Sequence, residues 1–513
     1  MKRLFQKLTA ILCTGMICLS CNAIPAHAEE DDSTAEIVLP SGKPVKWFQH
    51  EMEETAKLNT EDERFFASAV VGLFQGDDVI YTGYFGETDI ENHIPADENS
   101  VYEWGSISKT FVWVSAMQLW EQGKLDLEKD VREYLPDGFF QHLSYDEPIT
   151  MMNLMNHNAG WQETIRPIME ADENKILPLG EMLQAIEPAQ IHRPNEVTAY
   201  SNYGAAVAGY VIECVSGMDY CEYVHKNILE PLGMEHTAIN PTHSDNEWVC
   251  EQRKKMKSYE ISHLTDSAIS RDTCLLYVSP YPAGAVTGTL SDLMTYAQAF
   301  VNDDAPLFQH KETQELLFSG TYFYGDSDIP ECCHGFWCEE YAVRVYGHNG
   351  ATYFGEANMI FDPISKIGLV VLINEPNSNW YMEYTPFLAF GNLDPNQYAV
   401  SGEPQKATFK DYYLISRSTY RGMLKFVPYL SGITLNGLGE IEDIGNHLYQ
   451  IRSEESSMIL GEKANSNLEI SSMELIPDKF YLVKLCLFTV YVLLAVISAY
   501  LIRIRHKLIK ANR

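Results

Sequence analysis

An α+β fold is predicted for this 513-residue chain: an antiparallel β-sheet flanked by helices, with a mostly helical subdomain inserted between its strands. Two observations predict it. β-Rich runs at 67–74 and 79–84 are answered far downstream by runs at 342–346, 356–361 and 367–374, and the sequence between the two groups is mostly helical in pattern. Strands at both ends of a domain are then closed into one sheet, with the intervening helices carried as an insertion.

Residues 1–28 combine a basic start (Lys2, Arg3, Lys7), an apolar run from Leu8 to Leu19 and the small-x-small site Ala26-His27-Ala28. That pattern predicts a secretory signal peptide cleaved before Glu29. Residues 29–45 are acidic and polar and read as a leader. Gly76-Asp77-Asp78 between the first two β-runs predicts a hairpin, and Asp362-Pro363 marks a turn between two late strands. After Ser106, the residues Phe111, Val112, Val114, Ala116, Met117, Leu119 and Trp120 fall all around a helical surface, so a helix buried on most sides is expected, with Gly123 as its stop. A second helix is expected over Ala205–Val215, ended by Gly217. Between Asn246 and Pro280 the pattern assigns no element.

The main domain is placed at 46–395. Beyond Pro395 the composition turns polar, with short strands expected near Ile433–Leu435 and Leu448–Ile451, so 396–478 reads as a small β-rich accessory domain or stalk. Leu485–Ile502 then runs 18 residues without a charge, and residues 480–502 are expected to cross a membrane. The basic tail 503–513, with Arg503, Arg505, Lys507 and Lys510, is expected on the cytoplasmic side, leaving the body outside.

The chain has 37 Lys plus Arg against 71 Asp plus Glu, a formal charge of −34, and neither 1–28 nor 480–513 contains an acid. The acidic excess therefore sits on the body, which excludes nucleic acid as a partner. Cys214, Cys221, Cys250, Cys274, Cys332, Cys333 and Cys338 fall in that body, an odd set in a compartment that permits disulfides. At least one free thiol is expected. Within Cys332, Cys333, His334 and Cys338 the spacing matches no usual zinc pattern, and one bridge plus a packing thiol is expected there. No metal or cofactor is called for.

Ser106 and Lys109 are one helical turn apart and share a face. A serine hydroxyl is a weak nucleophile at neutral pH, and a neighbouring amine helps it only when burial or nearby positive charge keeps that amine partly unprotonated. Two further short elements follow in order, Tyr200-Ser201-Asn202 and His348-Asn349-Gly350.

With their surroundings these three elements resemble the serine β-lactamase and penicillin-binding-protein superfamily, in its class C β-lactamase and DD-carboxypeptidase branch, where Ser-x-x-Lys, Tyr-x-Asn and Lys/His-x-Gly occur in that order. The stretches WGSISKTFVWVSAMQLWEQGK, YSNYGAAVAGYVIECVSG and YGHNGATYFGEANMIFDP carry the resemblance, which covers roughly residues 45 to 395. It implies a β-lactamase/transpeptidase-like fold and a serine hydrolase with no cofactor. Ser106 would be acylated, Lys109 and Tyr200 would handle its proton, and Asn202 would hold Lys109 and a substrate carbonyl. The backbone N–H groups of Ser106 and Ala351 would form the oxyanion hole, with His348 and Gly350 at its margin.

The sequence departs from that pattern at two places. His348 stands where β-lactamases of the branch carry lysine, and Asn349 replaces the common threonine, so recognition of a β-lactam or D-Ala carboxylate is in doubt. LMNHNAGW at 154–161 resembles a family turn with Ala159 in place of serine, and His157 there is expected to be a structural hydrogen-bonding residue. The leading expectation is a peptide or amide substrate at the cell envelope. Alternatives are an esterase or D-amino-acid peptidase acting on secreted peptides, and a penicillin-binding sensor that acylates without turnover.

Overall fold

The computed structural model describes residues 37–477 apart from 60–65, 165–167, 263–266, 271–275, 326, 377–378, 394–404, 410–412, 417–431, 434, 436–439, 453–456 and 471–472. The expected signal peptide at 1–28, the expected membrane-spanning segment at 480–502, the basic tail 503–513 and Cys274 lie outside the described residues. Among the described residues no helix is long and apolar enough to cross a membrane.

The N-terminal helix α1 (Val45–Leu58) leads into β1 (Ser68–Gln75) and β2 (Asp78–Asp89), paired as a hairpin from Ser68↔Gly86 to Gln75↔Asp78. Gly76 takes the turn at φ +59, in the left-handed region. Next in the chain are α2 (Ser108–Glu121), α3 (Asn202–Ser216) and α4 (Leu290–Gln298). Then follow β3 (Pro330–Cys333), β4 (Phe336–Glu340), β5 (Arg344–Ala351), β6 (Glu356–Asp362), β7 (Ile367–Ile373) and α5 (Asn379–Phe390).

The sheet closes as the two groups of β-runs predict. β1 pairs antiparallel with β7, from Ala69↔Ile373 to Gln75↔Ile367, so strands some three hundred residues apart lie side by side. Among the described residues the sheet has nine strands, in the order Tyr322–Phe323, β3, β4, β5, β6, β7, β1, β2, Ile94–Pro95. Both central strands are buried almost throughout because helices cover both faces. Val70, Phe74, Met359, Phe361 and Leu372 face α2 and α4 through Phe111 and Tyr296. Val71, Leu73, Ile360, Val371 and Ile373 face α1 and α5 through Phe48, Met52, Tyr381 and Phe390. Alternate residues of one strand thus feed two cores.

α2 is buried from Ser108 to Leu119, which explains why its sequence shows no polar stripe. α3 starts one turn before the predicted helix because Ser201 caps it, its Oγ accepting from Gly204 N at 2.9 Å, and it ends at Gly217 with φ +70. The insertion is less purely helical than predicted. Val101–Glu103, Thr287–Thr289 and Thr237–Ala238 form a small antiparallel sheet, and Met169–Glu170 pairs with Tyr277–Val278. The unassigned stretch holds a helix at Glu247–Arg253 and a hairpin of Tyr259–Ser262 with Ser267–Ser270, elements too short to leave a periodic signal.

Between residues 405 and 477, eight described strands form a second antiparallel sheet with its own core of Tyr413, Leu435, Ile441, Ile451, Leu460, Leu468 and Leu475. It rests on the main body. Buried Glu469 accepts from Gly325 N at 2.6 Å and from the Tyr322 hydroxyl, and Ser416 Oγ donates to the Thr198 carbonyl. The predicted disulfide in 332–338 is corrected: Cys332, Cys333 and Cys338 are all free, as are Cys214, Cys221 and Cys250. The adjacent Cys333 thiol, together with burial, pushes the Cys338 thiol far above its ordinary range.

Candidate active site

Ser106 occupies a 3-10 turn, Gly105–Ile107, that runs directly into α2. Gly105 makes the turn possible with φ +52, and Ser108 Oγ ties it down by donating to the Gly105 carbonyl at 2.6 Å. The hydroxyl of Ser106 is left accessible at the N-terminal, electropositive end of the helix.

Lys109 points back along the same face and is fully buried. Its Nζ donates to Ser106 Oγ at 2.9 Å, to Asn202 Oδ1 at 2.9 Å and to the Ala283 carbonyl at 2.6 Å. Three acceptors match the three N–H donors of an ammonium group, which fixes the amine beside the hydroxyl. The same Nζ lies 4.9 Å from the centre of the Tyr200 ring. Burial raises the Tyr200 phenol above its ordinary value, with a hydrogen bond to Ser106 opposing the shift. Desolvation dominates, and the phenol is protonated at neutral pH.

His157 has the structural role expected of it. It sits at φ +54, its Nδ1 accepts from Ser201 N at 3.2 Å, and its carbonyl accepts from Ala199 N at 2.8 Å. Both bonds tie the start of the Tyr200–Asn202 segment to the turn that follows the short helix Met151–Met155.

On β5, His348 is buried and Asn349 exposed. The His348 Nδ1 donates to the Asn349 carbonyl, which leaves Nε2 as the lone-pair nitrogen of a neutral ring. Desolvation first and Lys109 second pull its pKa down to about 3. His348 therefore brings no positive charge to the cleft. Gly350 packs on the nucleophile turn so tightly that a Cβ there would lie 2.0 Å from the Trp104 carbonyl and 2.9 Å from Ser106 N. A Cβ at Gly105 would in turn lie 2.7 Å from Ala351 N. The two glycines bring the N–H groups of Ser106 and Ala351 to one spot, the arrangement an oxyanion hole needs.

Ser106, Tyr200, Asn202, Asn349 and Ala351 open on one cavity of about 400 Å³. The three sequence elements thus meet at one place, with Ser106, Lys109, Tyr200 and Asn202 in direct contact. A model described as Beta-lactamase matches residues 46–391. The chain belongs to the Beta-lactamase family. Penicillin-binding protein 4* of Bacillus subtilis is 26% identical over 270 residues, covering 51% of this chain and 58% of that protein, so the match spans little more than half the relative's length. Among solved structures, the octameric penicillin-binding protein homologue from Pyrococcus abyssi superposes with a TM-score of 0.55 at 19% identity, covering 84% of this chain and 99% of that one. The D-amino acid amidase from Ochrobactrum anthropi SV3 gives 0.51 at 19% identity, covering 64% and 91%. Such likenesses concern fold: the antiparallel sheet with its helical insertion is that of the Beta-lactamase family.

Three participants in this Beta-lactamase-family site left no sequence signal. The Ala283 carbonyl acts through its backbone. Trp337 stacks on His348 at 4.4 Å between ring centres and meets Tyr200 edge-on at 6.0 Å. Glu339, two residues along β4, lines the same cavity. Both lie outside the three ordered elements. Among the described residues no cluster of three or more His, Cys, Asp or Glu side chains is placed to hold a metal ion.

Proposed function

We propose that this chain is a serine hydrolase that works through a Ser106 acyl-enzyme on amide, peptide or ester substrates at the cell envelope. The observation that carries the reading is Lys109 Nζ held 2.9 Å from Ser106 Oγ by Asn202 and the Ala283 carbonyl. Ser106 Oγ attacks the carbonyl carbon while the N–H groups of Ser106 and Ala351 stabilise the developing oxyanion. With Lys109 as the free amine in the reacting state, its Nζ takes the serine proton, and the Tyr200 phenol gives its own proton to the departing amine or alcohol and is reprotonated from Lys109. Water then attacks the acyl-enzyme, its proton returning by the same route, which releases the acid and restores Ser106.

Neutral His348 and the amide of Asn349 favour substrates without a carboxylate beside the scissile bond. That places amides and esters ahead of DD-carboxypeptidase and β-lactam substrates. The patterns at 1–28 and 480–502 support a body held outside the membrane by a C-terminal helix. The test is a fluorescent fluorophosphonate applied to the full-length chain. Covalent labelling is expected, with its loss in Ser106→Ala; labelling that survives that substitution overturns the nucleophile assignment.

A further inference from the structure

We infer that Glu339 sets the specificity of the Ser106 cleft and that the substrate carries a protonated amine, which the Glu339 carboxylate holds. The inference rests on the acyl-enzyme reading above and names its substrate class.

The β4–β5 register pairs Trp337 with Gly347 and Glu339 with Val345. Two residues apart on one strand, Trp337 and Glu339 point to the same side and both line the cavity shared by Ser106 and Tyr200. An indole and a carboxylate together are the side-chain pair that recognises an organic ammonium, one through its ring face and the other through charge. Glu339 is half-buried, and Tyr341 donates a hydroxyl hydrogen bond to its Oε2 at 3.0 Å. Among the described residues no Lys, Arg or His forms an ion pair with it. Other buried or half-buried acids differ: Glu340 pairs with Arg344, and Glu103 pairs with Arg253 at 2.7 Å.

Burial disfavours ionisation of the Glu339 carboxyl, and the one hydroxyl from Tyr341 only partly opposes it. A carboxyl kept in a cleft wall without a counter-charge is costly to ionise until a ligand supplies one. Among the described residues the cleft offers no competing cation at that wall, since His348 is neutral and Lys109 is committed to Ser106, Asn202 and Ala283. The chain's acidic excess, a formal charge of −34 over all 513 residues, draws cations toward the protein in the same sense.

The test measures how well amino-acid amides protect Ser106 from the fluorophosphonate in the full-length chain. The compounds are phenylalanine amide and lysine amide carrying only its side-chain amine, each against its fully N-acetylated counterpart. At least one free amine is expected to protect at a concentration about tenfold to a hundredfold below its acetylated partner, the scale of a charge-assisted hydrogen bond. In Glu339→Gln that difference, taken between the paired compounds within the variant itself, should shrink below threefold, and a wild-type melting temperature reports an intact fold. Equal protection by amine and acetylated compounds in the wild type overturns the inference without reference to any variant. So does a preference that persists in Glu339→Gln. Failure of the probe to label Ser106 is a different result and overturns the acyl-enzyme reading itself.

Discussion

Lys109 and Asn202 are 93 positions apart, and the Lys109 ammonium donates to the Asn202 amide oxygen at 2.9 Å. That bond joins α2 to the first turn of α3 and aims the amine at Ser106. The helix spacing of Ser106 and Lys109 sets which face they share, whereas Asn202 and Ala283 decide where on that face the amine stops.

Replacing the amine tests this arrangement. Lys109→Met keeps the volume of the stem and removes the proton relay, so the rate of Ser106 labelling should fall by about a hundredfold to ten-thousandfold. Asn202→Ala leaves the amine and removes one of its three acceptors, and a smaller loss is expected. Time courses of probe labelling give both values, and equal rates for all three proteins would contradict the relay.

The tight approach of Gly350 to the nucleophile turn makes a second case. In Gly350→Ala the new Cβ meets the Trp104 carbonyl at 2.0 Å, both backbone, so one segment has to shift. Overpacking of this kind costs about 1–3 kcal/mol, and displacement of a single oxyanion donor costs about a hundredfold or more in rate. Thermal melting and esterase kinetics together check it. A variant with wild-type turnover would place the oxyanion hole elsewhere.

His348 makes stability depend on acid. Its folded-state pKa of about 3 lies below the unfolded value of about 6.5, so the fold favours the neutral ring. The contribution is complete above about pH 6.5 and is lost as pH falls toward 3, where the imidazole must charge inside the core. Buried His243, lowered to about 4 by desolvation and by Arg253, acts in the same direction. Melting temperature should therefore drop between pH 6.5 and 4, and the drop should be smaller in His348→Gln. An identical pH profile for the two proteins would contradict the neutral assignment.

Carboxylate recognition follows from the same residue. Nitrocefin should acylate Ser106 slowly and be turned over poorly relative to simple esters, because neither His348 nor Asn349 supplies a cation or hydroxyl for its carboxylate. The double change His348→Lys with Asn349→Thr is expected to raise nitrocefin acylation about tenfold or more. Efficient nitrocefin turnover by the unaltered chain would refute the argument.

Free thiols give a direct count. Alkylation of the unreduced, denatured chain should modify Cys214, Cys221, Cys250, Cys332, Cys333 and Cys338, all free in the structure. Mass spectrometry that finds Cys333 and Cys338 protected together would establish a bridge in place of the thiol pair.

The sequence alone determined the fold class, the family and the three reactive elements. Strand and helix periodicity survive in residues that fill a core, as β1, β7 and α2 do, and the order Ser106, Lys109, Tyr200, Asn202, His348 is written along the chain. The resemblance of 154–161 to a family turn also gave His157 its structural hydrogen-bonding role. Short strands such as Thr287–Thr289 escaped because two or three residues carry no period. The disulfide expectation failed because cysteine spacing and compartment say nothing about which thiols meet. Only the tertiary structure decided that His348 is neutral and that Tyr200 keeps its proton, because a pKa depends on what surrounds a group in space. In the same way, only pairing of β4 with β5 brought Trp337 and Glu339 to the cleft. Their positions depend on strand register, which long-range packing sets and local sequence does not record.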